Sequence, residues 1–252
     1  AGKEIAKNYN SNTPILLLTK GLTIIDNKFE TLAKKFKVVL KNNGVKDSNV
    51  SAVGGPCLAA GLASRIKSSV VLANSDLSVV KSIGKMISTN YYSTEYSEDL
   101  LGVEVCAAIK NLYSMIIGAS EGLCSADATK DIKNKNYLNT AASLMYKSIS
   151  EMVYFTKALK GKEETVYGLS GLGDLYVSSA GGRNSKMGKY LGEGHLYSKA
   201  KKQFMQNDTI EGAELALEIG SKIIKEFNKK DLPLMIDLLD SIINDKKFKI
   251  NW

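Results

Sequence analysis

The sequence predicts an α/β domain followed by an all-α domain, with the boundary near residue 97. Two observations carry this prediction. Up to that point, short apolar runs alternate with amphipathic segments, which is typical of strands that alternate with helices. Beyond it, nearly every segment has the apolar spacing of a helix. A chain of 252 residues is long enough for two such domains.

The α/β domain is predicted from apolar runs that end at turn residues. The run PILLLT over residues 14–19 ends at a Lys-Gly turn, and NVSAV over residues 49–53 ends at a Gly-Gly-Pro turn. Either Asp76 or Ser75 is expected to cap the helix that follows, since short polar side chains accept hydrogen bonds from first-turn N–H groups. The predicted strands are 14–19, 49–53, 68–73 and an edge strand over 90–96, and the predicted helices are 28–42, 57–64 and 77–88.

The all-α domain is predicted to open with a long buried helix. From Ser97 or Glu98 to about Glu121 the chain is apolar nearly all round, which is typical of a helix inside a helical body. A polar, Lys-rich connection is expected over residues 194–207. The other predicted helices are 138–160, 171–178, 184–193, 209–227 and 232–243.

The charge of the chain does not predict a nucleic-acid partner. Lys and Arg number 34 against 26 Asp and Glu, which gives a formal net charge of +8. A nucleic-acid site needs clustered cations interleaved with aromatic residues, whereas these lysines are scattered along the chain. The excess therefore indicates a composition bias.

The scarcity of cysteine and histidine excludes several kinds of site. Three cysteines without CxxC spacing predict neither a disulfide framework nor a zinc site, and they indicate a reducing, cytoplasmic setting. No apolar run approaches the length of a membrane span, and the first residues are not typical of a signal peptide. With His195 as its one histidine, an enzyme of this sequence is expected to use Lys, Asp or Glu for acid–base chemistry, and no metal.

Arginine is rare in this chain, and that makes Arg183 a candidate binding residue. Only two of the 34 basic residues are arginine. Arginine can grip a phosphate or carboxylate through two donors, which lysine cannot do. In the segment GLSGLGDLYVSSAGGRNSK, Asn184 adds an amide donor, and Asp174 and Ser178 lie just upstream. The segment predicts half of a small-anion site; a helix–turn–helix junction with a structural ion pair is the alternative.

Lys110 lies in the middle of the apolar segment EVCAAIKNLYS. Burial lowers the pKa of a lysine and makes it able to act as a general acid or base near neutral pH. A lysine that snorkels to the surface is the alternative. The polar Asn111 beside it favours the functional interpretation, and Glu104 is a possible partner although residues i and i+6 share a helix face poorly.

Two predicted strand ends carry further candidates. Lys20 ends the first strand, and ligands of open α/β sheets bind at the carboxyl ends of strands. The Gly54-Gly55-Pro56-Cys57 turn ends the second, where glycine lets the backbone approach a ligand. Plain surface turns are the alternative at both places. No GxGxxG loop, the usual pyrophosphate cradle, occurs near the N-terminus.

Together these segments resemble the NAD(P)-dependent glycerol-3-phosphate dehydrogenase family. The resemblance implies that residues 1–97 form the C-terminal half of a Rossmann-like NAD(P)-binding domain. It implies that residues 98–252 form a helical substrate-binding domain, similar to the C-terminal domain of 6-phosphogluconate dehydrogenase. The matching, collinear stretches are LLLTKGL (16–22), GGPCLAAGLA (54–63), GVEVCAAIKNLYSMIIGASEGL (102–123), GLSGLGDLYVSSAGGRNSKMG (168–188) and TIEGAELALEI (209–219).

The resemblance implies reversible hydride transfer between NAD(P)H and dihydroxyacetone phosphate, giving sn-glycerol 3-phosphate. Lys110 matches the family's general acid/base, Lys20 the lysine that polarises the substrate oxygen, and Asp174 the aspartate that helps orient this group. Two ammonium groups converging on a ketone would stabilise the alkoxide that develops there. The cofactor is expected to be NAD or NADP, and the protein a homodimer.

The binding residues implied by the resemblance surround this catalytic set. Arg183 and Asn184 match the pair that binds the phosphate and borders the cofactor, and Asn111 and Ser178 complete the predicted substrate site. Gly55 and Cys57 fall at substrate-contacting loop positions, although Cys57 stands where a serine is common, and Ala59 and Glu211 fall at cofactor contacts.

The chain departs from the family at its beginning. Family members open with a strand, a Gly-rich loop and a helix that have no counterpart in this sequence. We therefore expect the chain to be a fragment with weak or no cofactor binding and little turnover on its own. Two other interpretations remain open: another dehydrogenase of the same architecture that acts on a small acid, and a non-catalytic dimerisation or binding module. The presence of all four of Lys20, Lys110, Asp174 and Arg183 argues against the module.

Overall fold

The computed structural model describes residues 1–10, 13–126 and 136–251. The chain divides into two compact units, one of Ala1–Ala107 with Leu159–Asp174 and the other of Ala108–Ala158 with Leu175–Trp252. The first unit is α/β and the second is all-α, so the predicted fold class is confirmed. The functional assignment of two domains divided at residue 97 stays a prediction.

The α/β unit is built on a mixed four-stranded sheet in the order β1-β4-β5-β6. β1 pairs parallel with β4, β4 antiparallel with β5, and β5 parallel with β6. Because β1 and β4 are parallel, their carboxyl ends lie at one edge of the sheet. The strands are β1 (Ile15–Leu17), β2 (Leu22–Ile25), β3 (Lys28–Thr31), β4 (Val50–Gly54), β5 (Ser68–Ala73) and β6 (Tyr92–Ser97).

The predicted helix over residues 28–42 begins later than expected. β2 and β3 form an antiparallel hairpin, and Thr31 then accepts a hydrogen bond from the N–H of Lys34 and caps the helix. Asp26 and Asn27 make the hairpin turn with φ of 47° and 57°. Two consecutive positive φ angles match the twist of the flanking strands, and Asp and Asn tolerate them better than most residues. The prediction was wrong because this turn was not recognised.

The helices of the α/β unit otherwise follow the prediction. Asp76 accepts a hydrogen bond from the N–H of Ser78 and caps α4, as the sequence predicts. Two short helices, α1 and α7, were not predicted. The helices are α1 (Gly2–Ala6), α2 (Leu32–Asn42), α3 (Ala59–Ala63), α4 (Leu77–Ile87), the first part of α5 (Leu100–Ser125), and α7 (Glu163–Tyr167), which leads into a π-helical turn at Leu169–Gly173.

In the part of the all-α unit that the structure describes, six helices accompany the rest of α5, and α10 among them was not predicted. The polar connection expected over 194–207 contains α10, anchored by Phe204, whose ring stacks on that of Tyr190 at 4.5 Å. Tyr197, Ala200 and Phe204 have the spacing of one helix face, and this signal was missed among the charged residues of the segment. The helices are α6 (Leu138–Ala158), α8 (Asp174–Ser179), α9 (Arg183–Gly192), α10 (Tyr197–Phe204), α11 (Glu211–Glu226) and α12 (Pro233–Ile243).

α5 is a core helix. Contrary to the expectation from the sequence, it is long and apolar enough to cross a membrane, but 83% of its most apolar stretch is buried inside the protein. Its largest fully buried side chains include Tyr113 and Met115. The predicted burial of this helix is confirmed, and its apolar character is that of a protein interior.

Candidate active site

Lys20 forms an ion pair with Asp174. Lys20 follows β1, and its Nζ lies 2.8 Å from Oδ2 of Asp174, the first residue of α8. The Asp174 side chain is only 5% exposed, whereas that of Lys20 is 30% exposed. A carboxylate buried this far needs a cation and hydrogen bonds to remain charged. The pair therefore holds an ammonium group at the carboxyl end of a strand, where the sequence predicts it.

The Gly54-Gly55 turn packs against the π-helical turn that precedes Asp174. A Cβ at Gly54 would lie 2.7 Å from the Cβ of Ser170, so only glycine fits here. Gly55 has φ of +127°, which other residues rarely adopt. The C-terminal ends of β1 and β4 and the π-helical turn are thus packed together, and this contact fixes the position of Asp174.

Cys57 and Ala59 lie on the same connection but in different surroundings. Cys57 is half-buried and packs against an apolar cluster that includes Val70 and Val80. Ala59 is the exposed first residue of α3. The predicted substrate contact of Cys57 and the predicted cofactor contact of Ala59 stay predictions.

Lys110 is buried in the all-α unit. It is 6% exposed, and its Nζ donates a hydrogen bond of 2.6 Å to Oγ of Ser178 on α8. This burial disagrees with the alternative of a snorkelling lysine. Glu104, the possible partner considered from the sequence, instead accepts a hydrogen bond from the N–H of Ala33 at 2.9 Å and caps α2. Burial raises the pKa of Glu104, and its hydrogen bonds oppose that effect.

Asn184 joins three elements of the all-α unit. Its Oδ1 accepts from the N–H of Gly212 at 2.9 Å, and its Nδ2 donates to Asn111 Oδ1 at 3.1 Å and to Glu211 Oε2 at 3.3 Å. A backbone N–H can only donate and a carboxylate can only accept, so these two partners fix the orientation of the amide. Asn184 is 6% exposed and thereby caps α11 while it holds Asn111 on α5.

Arg183 is the first residue of α9 and pairs with Glu211, the first residue of α11. Its Nη2 donates to Oε1 of Glu211. Both side chains are about half exposed, at 51% and 43%. The first N–H groups of a helix have no intrahelical acceptor, so the N-terminus of α9 favours an anion beside the guanidinium. The structure contains an ion pair of the kind that the sequence analysis gave as the alternative, and the anion site at Arg183 stays a prediction.

Glycine packing between α5 and α9 was missed in the sequence. A Cβ at Gly188 would collide with the backbone of Met115, and one at Gly118 would collide with the backbone of Ser185. Gly122 and Gly192 make equally close approaches, so each helix contributes two glycines four residues apart. The GxxxG spacing of both segments was the available signal. This contact fixes the start of α9, and hence Arg183 and Asn184, against the helix that carries Lys110.

A cavity of the all-α unit lies beside these residues without including them. It has a volume of about 610 Å³, and its lining includes Ile117 and Glu121 of α5 and Ser179, Gly181 and Ser185 near the start of α9. Of the described residues that line it, none belongs to the predicted site. Within residues 1–10, 13–126 and 136–251, no group of three or more His, Cys, Asp and Glu side chains is placed to hold a metal ion.

Comparisons with known proteins agree with this architecture. The chain is 31% identical over 220 residues to an NADP(+)-dependent glycerol-3-phosphate dehydrogenase of Archaeoglobus fulgidus, covering 85% of this chain and 63% of the relative. It is 27% identical over 248 residues to a glycerol-3-phosphate dehydrogenase [NAD(P)+] of Clostridium botulinum, covering 97% of this chain and 68% of the relative. The chain thus spans less than two thirds of the archaeal relative's length.

Solved structures and a family model point the same way. The crystal structure of glycerol-3-phosphate dehydrogenase from Coxiella burnetii superposes with a TM-score of 0.76 at 24% identity, covering 98% of this chain and 69% of that one. The enzyme from Saccharomyces cerevisiae gives 0.81 at 19% identity, covering 98% and 69%. These two show the fold. The model of the NAD-dependent glycerol-3-phosphate dehydrogenase C-terminus matches residues 99–250, more than half of the chain. The chain therefore belongs to the NAD-dependent glycerol-3-phosphate dehydrogenase family.

Proposed function

We propose that the protein carrying this chain interconverts dihydroxyacetone phosphate and sn-glycerol 3-phosphate with NAD(P)H. The observation that carries the proposal is the burial of Lys110 inside an apolar helix, hydrogen-bonded to the hydroxyl of Ser178. A helix gains nothing in stability from an ammonium group at such a position. Membership of the family supplies the reaction for which such a group is needed.

Lys110 is the proposed general acid/base. During reduction the substrate ketone oxygen gains negative charge, and the ammonium group of Lys110 donates a proton to it and becomes neutral. During oxidation the neutral amine removes the proton of the substrate hydroxyl. The hydrogen bond to Ser178 orients Nζ, so that the ammonium group needs little reorganisation when the charge develops.

Lys20 is the proposed second cation at the substrate oxygen. Its ion pair with the buried Asp174 orients its ammonium group. A fixed positive charge near the ketone oxygen stabilises the developing alkoxide without transferring a proton. The proposal thus gives polarisation to Lys20, orientation to Asp174 and proton transfer to Lys110.

Arg183 and Asn184 are the proposed phosphate ligands. A guanidinium group, an amide and the first N–H groups of α9 are all donors, and donors converging at a helix N-terminus suit a phosphate dianion. Holding the phosphate fixes the reacting carbon for hydride transfer. Asn111 is proposed to help, since its Oδ1 is engaged by Asn184 and its NH₂ group lies outside that contact.

The same surface suits a nicotinamide nucleotide. Arg183 and Asn184 offer donors for phosphate oxygens, and Glu211 offers acceptors for hydroxyl or amide groups. With Ala59 these are the residues proposed to hold NAD or NADP. When bound, the nicotinamide supplies the hydride or accepts it. We further propose, on the resemblance of the helical domain, that the protein is a cytoplasmic homodimer, which light scattering of the purified protein tests.

A steady-state assay on the protein expressed from its complete gene tests the proposal. We expect NADH oxidation with dihydroxyacetone phosphate, and none with dihydroxyacetone or with small 2-keto acids. Lys110→Met should lower kcat by about 10²–10⁴ because it removes the proton donor. Lys225→Met, at an exposed position on α11, is the matched control and should leave kcat unchanged. Turnover of a keto acid in place of the phosphate ester, or a Lys110→Met variant with wild-type kcat, would refute the proposal.

A further inference from the structure

One carboxylate holds both side chains that are proposed to bind the phosphate. Oε1 of Glu211 accepts from Arg183 Nη2, and Oε2 of the same side chain accepts from Asn184 Nδ2 at 3.3 Å. A carboxylate and a phosphate present similar oxygen acceptors to a guanidinium group. Glu211 therefore occupies one guanidinium nitrogen and one amide nitrogen that a phosphate would use.

We infer that Glu211 is a displaceable counterion that competes with phosphate for Arg183 and Asn184. The inference rests on the proposed phosphate site and adds to it. Before a ligand arrives, the carboxylate neutralises the guanidinium group. When a phosphate binds, the carboxylate leaves Arg183, because two anions cannot share the same donors without repulsion.

The exposure of the ion pair makes this exchange feasible. Arg183 and Glu211 are 51% and 43% exposed, and ion pairs this accessible to water contribute little to stability. A buried, structural pair would resist displacement. Glu211 can therefore rotate away from Arg183 at a small cost in free energy.

The rest of the site stays in place when Glu211 moves. Asn184 is also held by the N–H of Gly212 at 2.9 Å and by Asn111 at 3.1 Å, and neither bond involves the Glu211 carboxylate. The amide thus keeps its orientation after it loses its third partner. A rotation of the Glu211 side chain is therefore enough to free the donors of Arg183 and Asn184 for a phosphate.

The consequence is a penalty on the binding of any anion at this site. Because Glu211 must be displaced, the affinity of the site for every anion is lowered by a similar factor, whether the anion is inorganic phosphate or the substrate. A ligand that makes further contacts with the protein overcomes this penalty, and a bare anion does not. Glu211 would thereby keep the site from filling with inorganic phosphate.

The opposite role for Glu211 is to orient Arg183 for the phosphate, and the two roles predict opposite signs. Glu211→Gln keeps the shape of the side chain and removes its charge. A competing counterion predicts tighter phosphate binding in this variant, and an orienting carboxylate predicts weaker binding. Glu214→Gln is the matched control, since Glu214 lies in the same first turn of α11 and is exposed.

Isothermal calorimetry on the full-length protein at low ionic strength separates these cases, with inorganic phosphate, sn-glycerol 3-phosphate and glycerol as ligands. We expect Glu211→Gln to lower the Kd of both phosphates by about fivefold and to leave glycerol unchanged, and Glu214→Gln to change the Kd by less than about twofold. Glu211→Ala, which also removes the charge, should likewise lower the Kd of both phosphates. If Arg183→Met weakens phosphate binding but neither Glu211 variant tightens it, the counterion role is wrong and the phosphate site stands. If Arg183→Met has no effect, the proposed phosphate site and the inference fall together.

Discussion

The pH dependence of stability should depend on Glu151, a buried residue of α6 that the sequence did not single out. Its Oε1 accepts from the N–H of Leu234 at 2.7 Å, and its Oε2 accepts from the N–H of Met235 at 2.9 Å and from the hydroxyl of Tyr113 at 3.1 Å. Glu151 is 5% exposed. It thereby caps α12 and ties it to α5, the helix that carries Lys110.

The magnitude follows from the pKa of this carboxyl. Burial raises the pKa of Glu151 from 4.5 to about 7 and outweighs the three hydrogen bonds, which lower it. Below about pH 4.5 the folded and unfolded states are both protonated. As the pH rises, the unfolded state releases its proton first, so the free energy of unfolding falls until the folded state also ionises near pH 7. The loss amounts to about 3 kcal/mol, since one pH unit corresponds to about 1.4 kcal/mol.

Glu151→Gln should remove this pH dependence. The amide cannot ionise, and it leaves one N–H group of α12 without an acceptor, a loss of about 1–3 kcal/mol at every pH. In urea denaturation at about pH 5 and about pH 8, the stability advantage of wild type over the variant should shrink by about 2.5 kcal/mol at the higher pH, since part of the loss has already occurred at pH 5. For the control Glu218→Gln, at an exposed position on α11, the stability difference from wild type should be the same at both pH values. A difference between wild type and Glu151→Gln that is the same at both pH values would refute the reasoning.

Two further predictions concern the candidate site. Gly188→Ala forces α9 away from α5, so it should lower the free energy of unfolding by about 1–3 kcal/mol in urea denaturation and raise the KM for dihydroxyacetone phosphate. Lys186→Ala, on the exposed face of α9, should do neither. An unchanged KM in a destabilised Gly188→Ala variant would show that α9 does not position the phosphate site. Asp174→Asn removes the charge that pairs with Lys20, so it should lower kcat by about tenfold or more. The control Asp47→Asn, at an exposed position, should leave kcat unchanged. A wild-type kcat in Asp174→Asn would show that Asp174 has no part in the mechanism.

Local chemistry decided which elements could be predicted. The run SSVVLA gave β5 with its bounds, because β-branched residues flanked by polar ones fit a buried strand. The Asp76 cap was equally local. The β2–β3 hairpin was not predicted, and β3 was assigned to a helix, because the Asp26-Asn27 turn was overlooked. Both residues tolerate positive φ, so the sequence did contain the turn signal. α10 was missed although Tyr197, Ala200 and Phe204 have helical spacing, because lysines dominate the segment; its contact with the Tyr190 ring lies outside its own sequence.

The sequence supplied candidate site residues, which stay a prediction, and did not supply the contacts between them. Lys20 and Asp174 are 154 residues apart, and no spacing rule connects them; resemblance to a family grouped them before any distance was known. The fixed amide of Asn184, which joins Asn111, Glu211 and Gly212, depends on three elements meeting in space. A hydrogen-bond network of this kind leaves no periodic trace in a sequence.

The position of the one histidine strengthens the proposal of lysine chemistry. His195 lies edge-on to the ring of Phe204, with 5.1 Å between the ring centroids, and its Nε2 is 3.6 Å from Glu193. Tyr190 flanks it at 6.3 Å. These contacts make His195 part of the aromatic cluster that anchors α10. These contacts give His195 a packing role, and the proposed general acid/base remains the buried ammonium group of Lys110.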